Sequence, residues 1–108
     1  MNIASVELEQ MHEAAGRACK LMKVLANPDR LMILCQLSRG EMRVGDIETL
    51  LGIVQPTLSQ QLTVLREDGL VSTRREGKNI YYRVNSPQAL AVLEVLYQQF
   101  CQPSEDAS

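Results

Sequence analysis

Residues 55–70 read QPTLSQQLTVLREDGL. Leu58, Leu62 and Leu65 recur at spacings of four and three, the period of a helix that packs one face on a core. Gln55, Thr57, Ser59, Gln60, Gln61 and Arg66 fall outside that stripe and are expected to look outward. A row of amides and hydroxyls is poor at catalysis and at metal ligation, but it suits hydrogen bonding to the edges of something polar and flat. Pro56 suits a first helical turn, and Asp68-Gly69 closes the last one.

The flanking segments give this helix its setting. Upstream, GDIETLL (45–51) reads as a short helix stopped by Gly52. Two short helices joined by a tight glycine-containing turn, the second with a polar outer face, form the helix-turn-helix pattern. Met42 to Val44 reads as a short extended piece. PDRLMILCQLSR (28–39) is a helix capped by Asn27, opened by Pro28 and ended by Gly40. Before it, Leu8, Met11, Ala15, Ala18, Met22 and Leu25 trace one stripe along a helix over 5–26. Downstream, LVSTRRE (70–76) and NIYYRVN (79–85) are β-prone runs separated by Gly77-Lys78, a hairpin with a basic tip. From Pro87, Leu90, Leu93, Tyr97, Phe100 and Cys101 return to helical spacing. The expected fold is mainly α with a β-hairpin wing: a winged helix-turn-helix in the order α-α-(β)-α-α-β-β-α. One domain covers 1–102, and 103–108 form a polar tail.

A chain of 108 residues with 45% apolar side chains has the size and composition of one globular domain. A domain this small leaves much surface exposed unless a partner covers it. The net charge of −2 argues against nucleic acid at first sight, but its distribution argues for it. Residues 53–85 hold Arg66, Arg74, Arg75, Lys78 and Arg83 against Glu67, Asp68 and Glu76, a local balance of +2 that leaves −4 for the remainder. The N-terminal MNIASVELEQM lacks the apolar stretch of a secretory signal, and LMIL (31–34) falls far short of the ~18 apolar residues of a membrane span. A cytoplasmic protein without a membrane partner is expected. Three cysteines, Cys19, Cys35 and Cys101, at wide spacing and without C-x-x-C fit neither a secreted disulfide framework nor a zinc knuckle nor a thiol oxidoreductase. No catalytic triad spacing or glycine-rich phosphate loop is present, so no enzyme and no cofactor are expected, and the single histidine, His12, reads as a surface residue.

A winged helix lays its second helix in the major groove of double-stranded DNA and reaches the backbone or minor groove with the hairpin. Glutamine pairs with adenine, a threonine methyl meets the thymine methyl, and short hydroxyls hold phosphates. Arg74, Arg75 and Lys78 would supply the salt-sensitive attraction. The same pattern also fits a solvated helix face beside an ordinary surface turn, or a winged helix that binds protein instead of DNA. On the residues alone, Cys35, which shares an apolar face with Leu31 and Leu34, and Cys101, which shares one with Leu93 and Tyr97, read as packed core thiols. Cys19 reads as buried.

The segments KVLANPDRLMILCQL (23–37), VGDIETLLGIVQPTLSQQLTVLREDGLV (44–71) and RREGKNIYYRV (74–84) resemble the ArsR family of homodimeric bacterial transcriptional repressors over residues 15–102. The resemblance implies a dimer through the first and last helices, with Leu8, Met11, Ala15, Leu93, Tyr97 and Phe100 at the interface. It also implies paired recognition helices on an inverted-repeat operator. Metal-sensing relatives carry Cys-Val-Cys where this chain has Arg43, Val44 and Gly45, or Asp and His ligands on the last helix, where SPQALAVLEVLYQQFCQ (86–102) has no histidine and one glutamate. Neither cluster can be built, so no metal is expected. What matches is a dithiol branch, the biofilm-growth-associated and sulfide-responsive repressors. Cys35 in RLMILC and Cys101 in YQQFC fit its two cysteine positions. The resemblance implies that these two sense reactive sulfur species or oxidants by becoming linked through a disulfide or a polysulfide chain. Cys19 has no counterpart and is taken as structural. A redox-responsive relative of the hemolysin-activator type, which relieves silencing instead of repressing, is the alternative.

Overall fold

The computed structural model describes residues 5–101; the expected polar tail lies outside them. Helix α1 spans Ser5–Leu25, α2 Pro28–Leu37, strand β1 Met42–Arg43, α3 Val44–Leu51, α4 Thr57–Glu67, β2 Val71–Glu76, β3 Asn79–Val84 and α5 Pro87–Leu96, which runs on into a wide π-helical turn over Tyr97–Cys101. The winged helix-turn-helix read from the sequence is the observed fold.

Local chemistry sets most boundaries. The Asn27 side chain accepts from the Arg30 amide at 3.0 Å and caps α2, with Pro28 in its first turn. The Ser86 hydroxyl accepts from the Ala89 amide at 3.1 Å and does the same for α5. Gly52, at φ 69°, ends α3 with its amide on the Glu48 carbonyl at 2.8 Å. At the end of α4 the Leu70 amide reaches the Leu65 carbonyl at 2.9 Å and the Gly69 amide the Arg66 carbonyl at 3.0 Å, the paired bonds of a Schellman motif. Gly69 takes the left-handed position there, at φ 76°.

The extended piece before α3 is two residues long and has a partner that the sequence did not announce. Met42 pairs with Tyr82 and Arg43 with Tyr81. The wing is therefore a three-stranded antiparallel sheet in the order β1-β3-β2, which roots the hairpin beside α3. Glu76 faces Asn79, so Gly77-Lys78 is the two-residue connection at its tip.

The core gathers Ile33, Leu34 and Leu37 of α2, Ile47 of α3, Leu58, Leu62 and Leu65 of α4, Leu70 and Val71, Ala89 and Leu93 of α5, and Val24 and Leu25 at the end of α1. Leu93 is thus a core residue, not part of an outward stripe. The rest of α1 is treated differently. Leu8 is 57% exposed, Met11 50% and Met22 54%, and Cys19, expected to be buried, is exposed. On α5 and the turn after it, Val95, Tyr97 and Phe100 are also uncovered, Phe100 at 81%. The Cα radius of gyration is 16.7 Å, against ~13 Å for a compact chain of this length. Single exposed apolar residues are ordinary, but two helices with uncovered stripes are the surface of something that packs elsewhere.

Leu58→Ala removes a side chain with no exposure from between α2 and α4. It should lower unfolding free energy by about 2–5 kcal/mol, while Leu50→Ala, at a position 57% exposed, should change it by less than about 0.5 kcal/mol. Urea denaturation at one fixed protein concentration checks both.

Candidate nucleic-acid interface and thiol pair

Burial of Leu58, Leu62 and Leu65 turns the opposite side of α4 to solvent. Ser59, Gln60, Thr63 and Arg66 are exposed there, together with Gln55 just before the helix. Thr57 is half-buried. Three of these side chains are already committed within the chain. Gln55 Oε1 accepts from both the Ser59 amide at 3.0 Å and the Ser59 hydroxyl at 2.7 Å, so Gln55 does the capping that Pro56 cannot. Thr63, which the sequence reading passed over, lies four residues beyond Ser59 and three beyond Gln60, the spacing of one helix face. Its hydroxyl donates to the Ser59 carbonyl at 2.8 Å.

Gln61 differs from the expectation. It is half-buried, and its Oε1 accepts from Arg30 Nη1 at 3.0 Å, so it faces α2 instead of looking outward. The leucine period fixes which side is buried, but a residue at the border of that side follows the nearest strong donor, and Arg30 is 31 residues away in sequence.

The wing carries Arg74, Arg75, Lys78 and Arg83, all exposed. Arg75 lies opposite Ile80 near the tip, and Lys78 is in the turn. Arg74, expected as a phosphate contact, is held on three sides: by Glu41 at 2.8 Å, by Glu76 at 2.6 Å and by the ring of Tyr81, 4.4 Å from its guanidinium carbon. The bonds to Glu41 and then Glu76 push the Arg74 guanidinium further up from its already high range. The bond from Arg74 holds the Glu41 carboxylate below its ordinary value. One cation between two carboxylates leaves that corner net negative, so the positive field of the wing rests on Arg75, Lys78 and Arg83. Arg83 Nε donates to the Ser72 hydroxyl at 3.1 Å, a neutral partner that leaves its charge in place.

On the other side of the core, Cys35 lies in the last turns of α2 and Cys101 ends the π turn. Both are free thiols. Cys35 is half-buried against the core, while Cys101 is exposed and not the packed thiol expected. Burial, and behind it the nearby Cys101, push the Cys35 thiol above its ordinary value of 9.0. A cleft of about 370 Å³ opens beside Cys35 between α2 and α5, lined by Cys35, Ser38, Arg39, Leu93, Glu94 and Tyr97. Among the described residues, no three His, Cys, Asp or Glu side chains converge, and no helix is long and apolar enough to cross a membrane. His12 is exposed on α1.

The sequence pattern of the bacterial regulatory protein, arsR family, matches residues 27–73, from the cap of α2 into β2. The biofilm growth-associated repressor of Agrobacterium fabrum is 48% identical over 106 residues, covering 98% of this chain and 91% of the relative. The chain belongs to the arsR family. Another relative, the transcriptional activator HlyU of Vibrio cholerae, is 38% identical over 102 residues, 94% of each chain. The crystal structure of the transcriptional repressor BigR from Xylella fastidiosa superposes with a TM-score of 0.81 at 47% identity, over 88% of this chain and 97% of that one. These arsR-family relatives are regulators and not enzymes, in keeping with the lack of a catalytic constellation in the sequence.

The carboxylate clamp on Arg74 generates a test. Glu41→Gln removes one anion and weakens the hold on the guanidinium. Affinity for duplex DNA should rise for matched and random sequences alike, and the slope of log affinity against log salt should steepen by up to about 0.9, the value of one added phosphate contact. An unchanged slope in a salt titration would mean that Arg74 stays on the wing sheet when DNA is bound.

Proposed function

We propose that this arsR-family chain is a cytoplasmic, homodimeric transcriptional repressor that binds an inverted-repeat operator and lets go of it when Cys35 and Cys101 become linked. Support for DNA reading comes from the solvent side of α4, where Gln60, Thr57, Ser59 and Arg66 present amides, hydroxyls and a cation beside a wing carrying Arg75 and Lys78. Gln55 contributes through its hold on Ser59, and Arg74 joins once a phosphate competes for it. Support for a twofold assembly comes from the uncovered stripes of α1 and of the chain after Leu93, which a second copy would cover. No metal is required.

The single observation that carries the switch is the placement of the two free thiols, Cys35 lining the cleft between α2 and α5 and Cys101 at the end of the turn that continues α5. Cys101 is exposed and reached first; Cys35, half-buried, is the resolving thiol. With a low-molecular-weight persulfide RS–SH, the Cys101 thiolate attacks the outer sulfur and expels RS⁻. The Cys35 thiolate then attacks the sulfur bonded to Cys101 carbon and expels HS⁻. The protein loses two electrons, the persulfide is reduced to thiol and sulfide, and a disulfide closes. Further sulfur transfer before closure would leave a longer chain in the bridge, which relaxes the ~7 Å Cα limit of a direct disulfide. Either bridge ties a helix of the DNA-binding core to the end of α5 and so biases the placement of the recognition helices. The relationship to HlyU favours a second reading, an activator that relieves silencing with the same switch. Transcription from a purified template without any silencing protein separates the two, because only a repressor lowers it.

Replacing Cys35 or Cys101 by Ser should leave DNA binding by the reduced protein intact and abolish release by persulfide, since one thiol cannot close a bridge. Cys19→Ser should change neither. Gel-shift titrations with intact-mass readout check this. Full release from the Cys35→Ser variant would rule out the bridge and leave Cys35 as a packing residue.

A further inference from the structure

Arg30, in the first turn of α2, spends its guanidinium on two other helices. Nε donates to the Val24 carbonyl at 2.7 Å and Nη2 to the Lys23 carbonyl at 3.3 Å. These acceptors sit in the last turn of α1, where the dipole favours a cation; the Lys23 carbonyl also takes the Ala26 amide at 3.4 Å. Nη1 donates to Gln61 Oε1 at 3.0 Å, on the second turn of α4.

We propose that the Arg30–Gln61 bond is a positioning tie that sets the angle of the recognition helix relative to α1, so that both residues determine sequence specificity without either touching a base. The inference rests on the DNA-binding reading above. The core beneath α4 is Leu58, Leu62 and Leu65; it decides which side of the helix faces in, but apolar contact is non-directional and leaves the finer angle of the helix open. A charge-assisted hydrogen bond is directional. Its donor is anchored to the end of α1, the helix whose exposed stripe would meet the second copy, so the tie relates the twofold axis to the groove-reading face.

The residue type fits this role. A glutamate at position 61 would bind Arg30 more strongly, but it would add a negative charge to the helix that approaches phosphates. Glutamine supplies the acceptor without the charge. With Oε1 on Arg30 and the side chain half-buried, Gln61 is not placed like its exposed neighbour Gln60.

The test compares the wild type with Arg30→Met, Gln61→Met, the double variant and Gln61→Glu, each confirmed folded by circular dichroism at the assay temperature. The probes are a duplex selected by the wild type from a randomised pool and a scrambled duplex of the same length. Both single Met variants should lower the selected-to-scrambled affinity ratio about tenfold, and the double variant should lower it no further than either single, as expected for two ends of one contact. Gln61→Glu should keep the ratio while weakening both duplexes by the same factor. A ratio lost in Gln61→Met but intact in Arg30→Met would overturn the proposal and make Gln61 a base reader. Losses that multiply in the double variant, or melting temperatures that drop while the ratio holds, would overturn it equally. A wild type that selects no duplex would instead sink the DNA reading itself, so the two failures are told apart.

Discussion

The structure depends on the burial of Leu58, Leu62 and Leu65 along one side of an eleven-residue helix. Packing these leucines beside Ile33 and Leu34 puts α4 on top of α2, and a helix of period 3.6 must then send Ser59, Gln60 and Thr63 the other way. Burying an apolar side chain is worth about 1.5–3 kcal/mol, so the alternative roll, with leucines out and amides in, is excluded by several such terms plus the cost of unpaired amides. The polar face is therefore a consequence of the core, and a small domain can present it rigidly.

What the core does not do is cover α1. A radius of gyration of 16.7 Å and a row of half-exposed methionines and leucines describe a chain whose outer helix is left largely uncovered, the surface that the proposed second copy would take. This arrangement gives the fold its economy as a regulator. Cys35 lies in the last turns of α2 and Cys101 at the end of the turn that follows α5, so the proposed linkage would join those two elements.

The elements that the sequence made legible are those set by neighbours along the chain. Asn27-Pro28 opens α2, Gly52 and Gly69 stop α3 and α4, and Gly77-Lys78 turns the wing, each through contacts within a few residues. Contacts across the fold left no such trace. Glu41 reaches Arg74 over 33 residues and Arg30 reaches Gln61 over 31, so the clamp on the wing arginine and the inward turn of Gln61 have no periodic signature. β1 is two residues of ordinary sequence until β3 lies beside it. The apolar stripe of α1 was visible, but periodicity says that a face is apolar, not what covers it, and Cys19 was read as buried for that reason. Cys101 was misplaced by the same logic, because the chain leaves ideal helical geometry in the π turn at Tyr97–Cys101. For the thiol pair itself, the residues pointed to core packing and only the family resemblance pointed to sensing.

The central claim is that linking Cys35 to Cys101 changes how the two reading helices stand relative to each other. Pulsed electron spin resonance on the protein carrying a nitroxide amino acid at Thr63, an exposed position on α4, measures the distance between those helices across the twofold axis. The account requires a narrow distribution in the reduced protein that shifts on persulfide treatment in step with loss of DNA. A reduced and a linked protein with superimposable distributions, one bound to DNA and the other released, would contradict it.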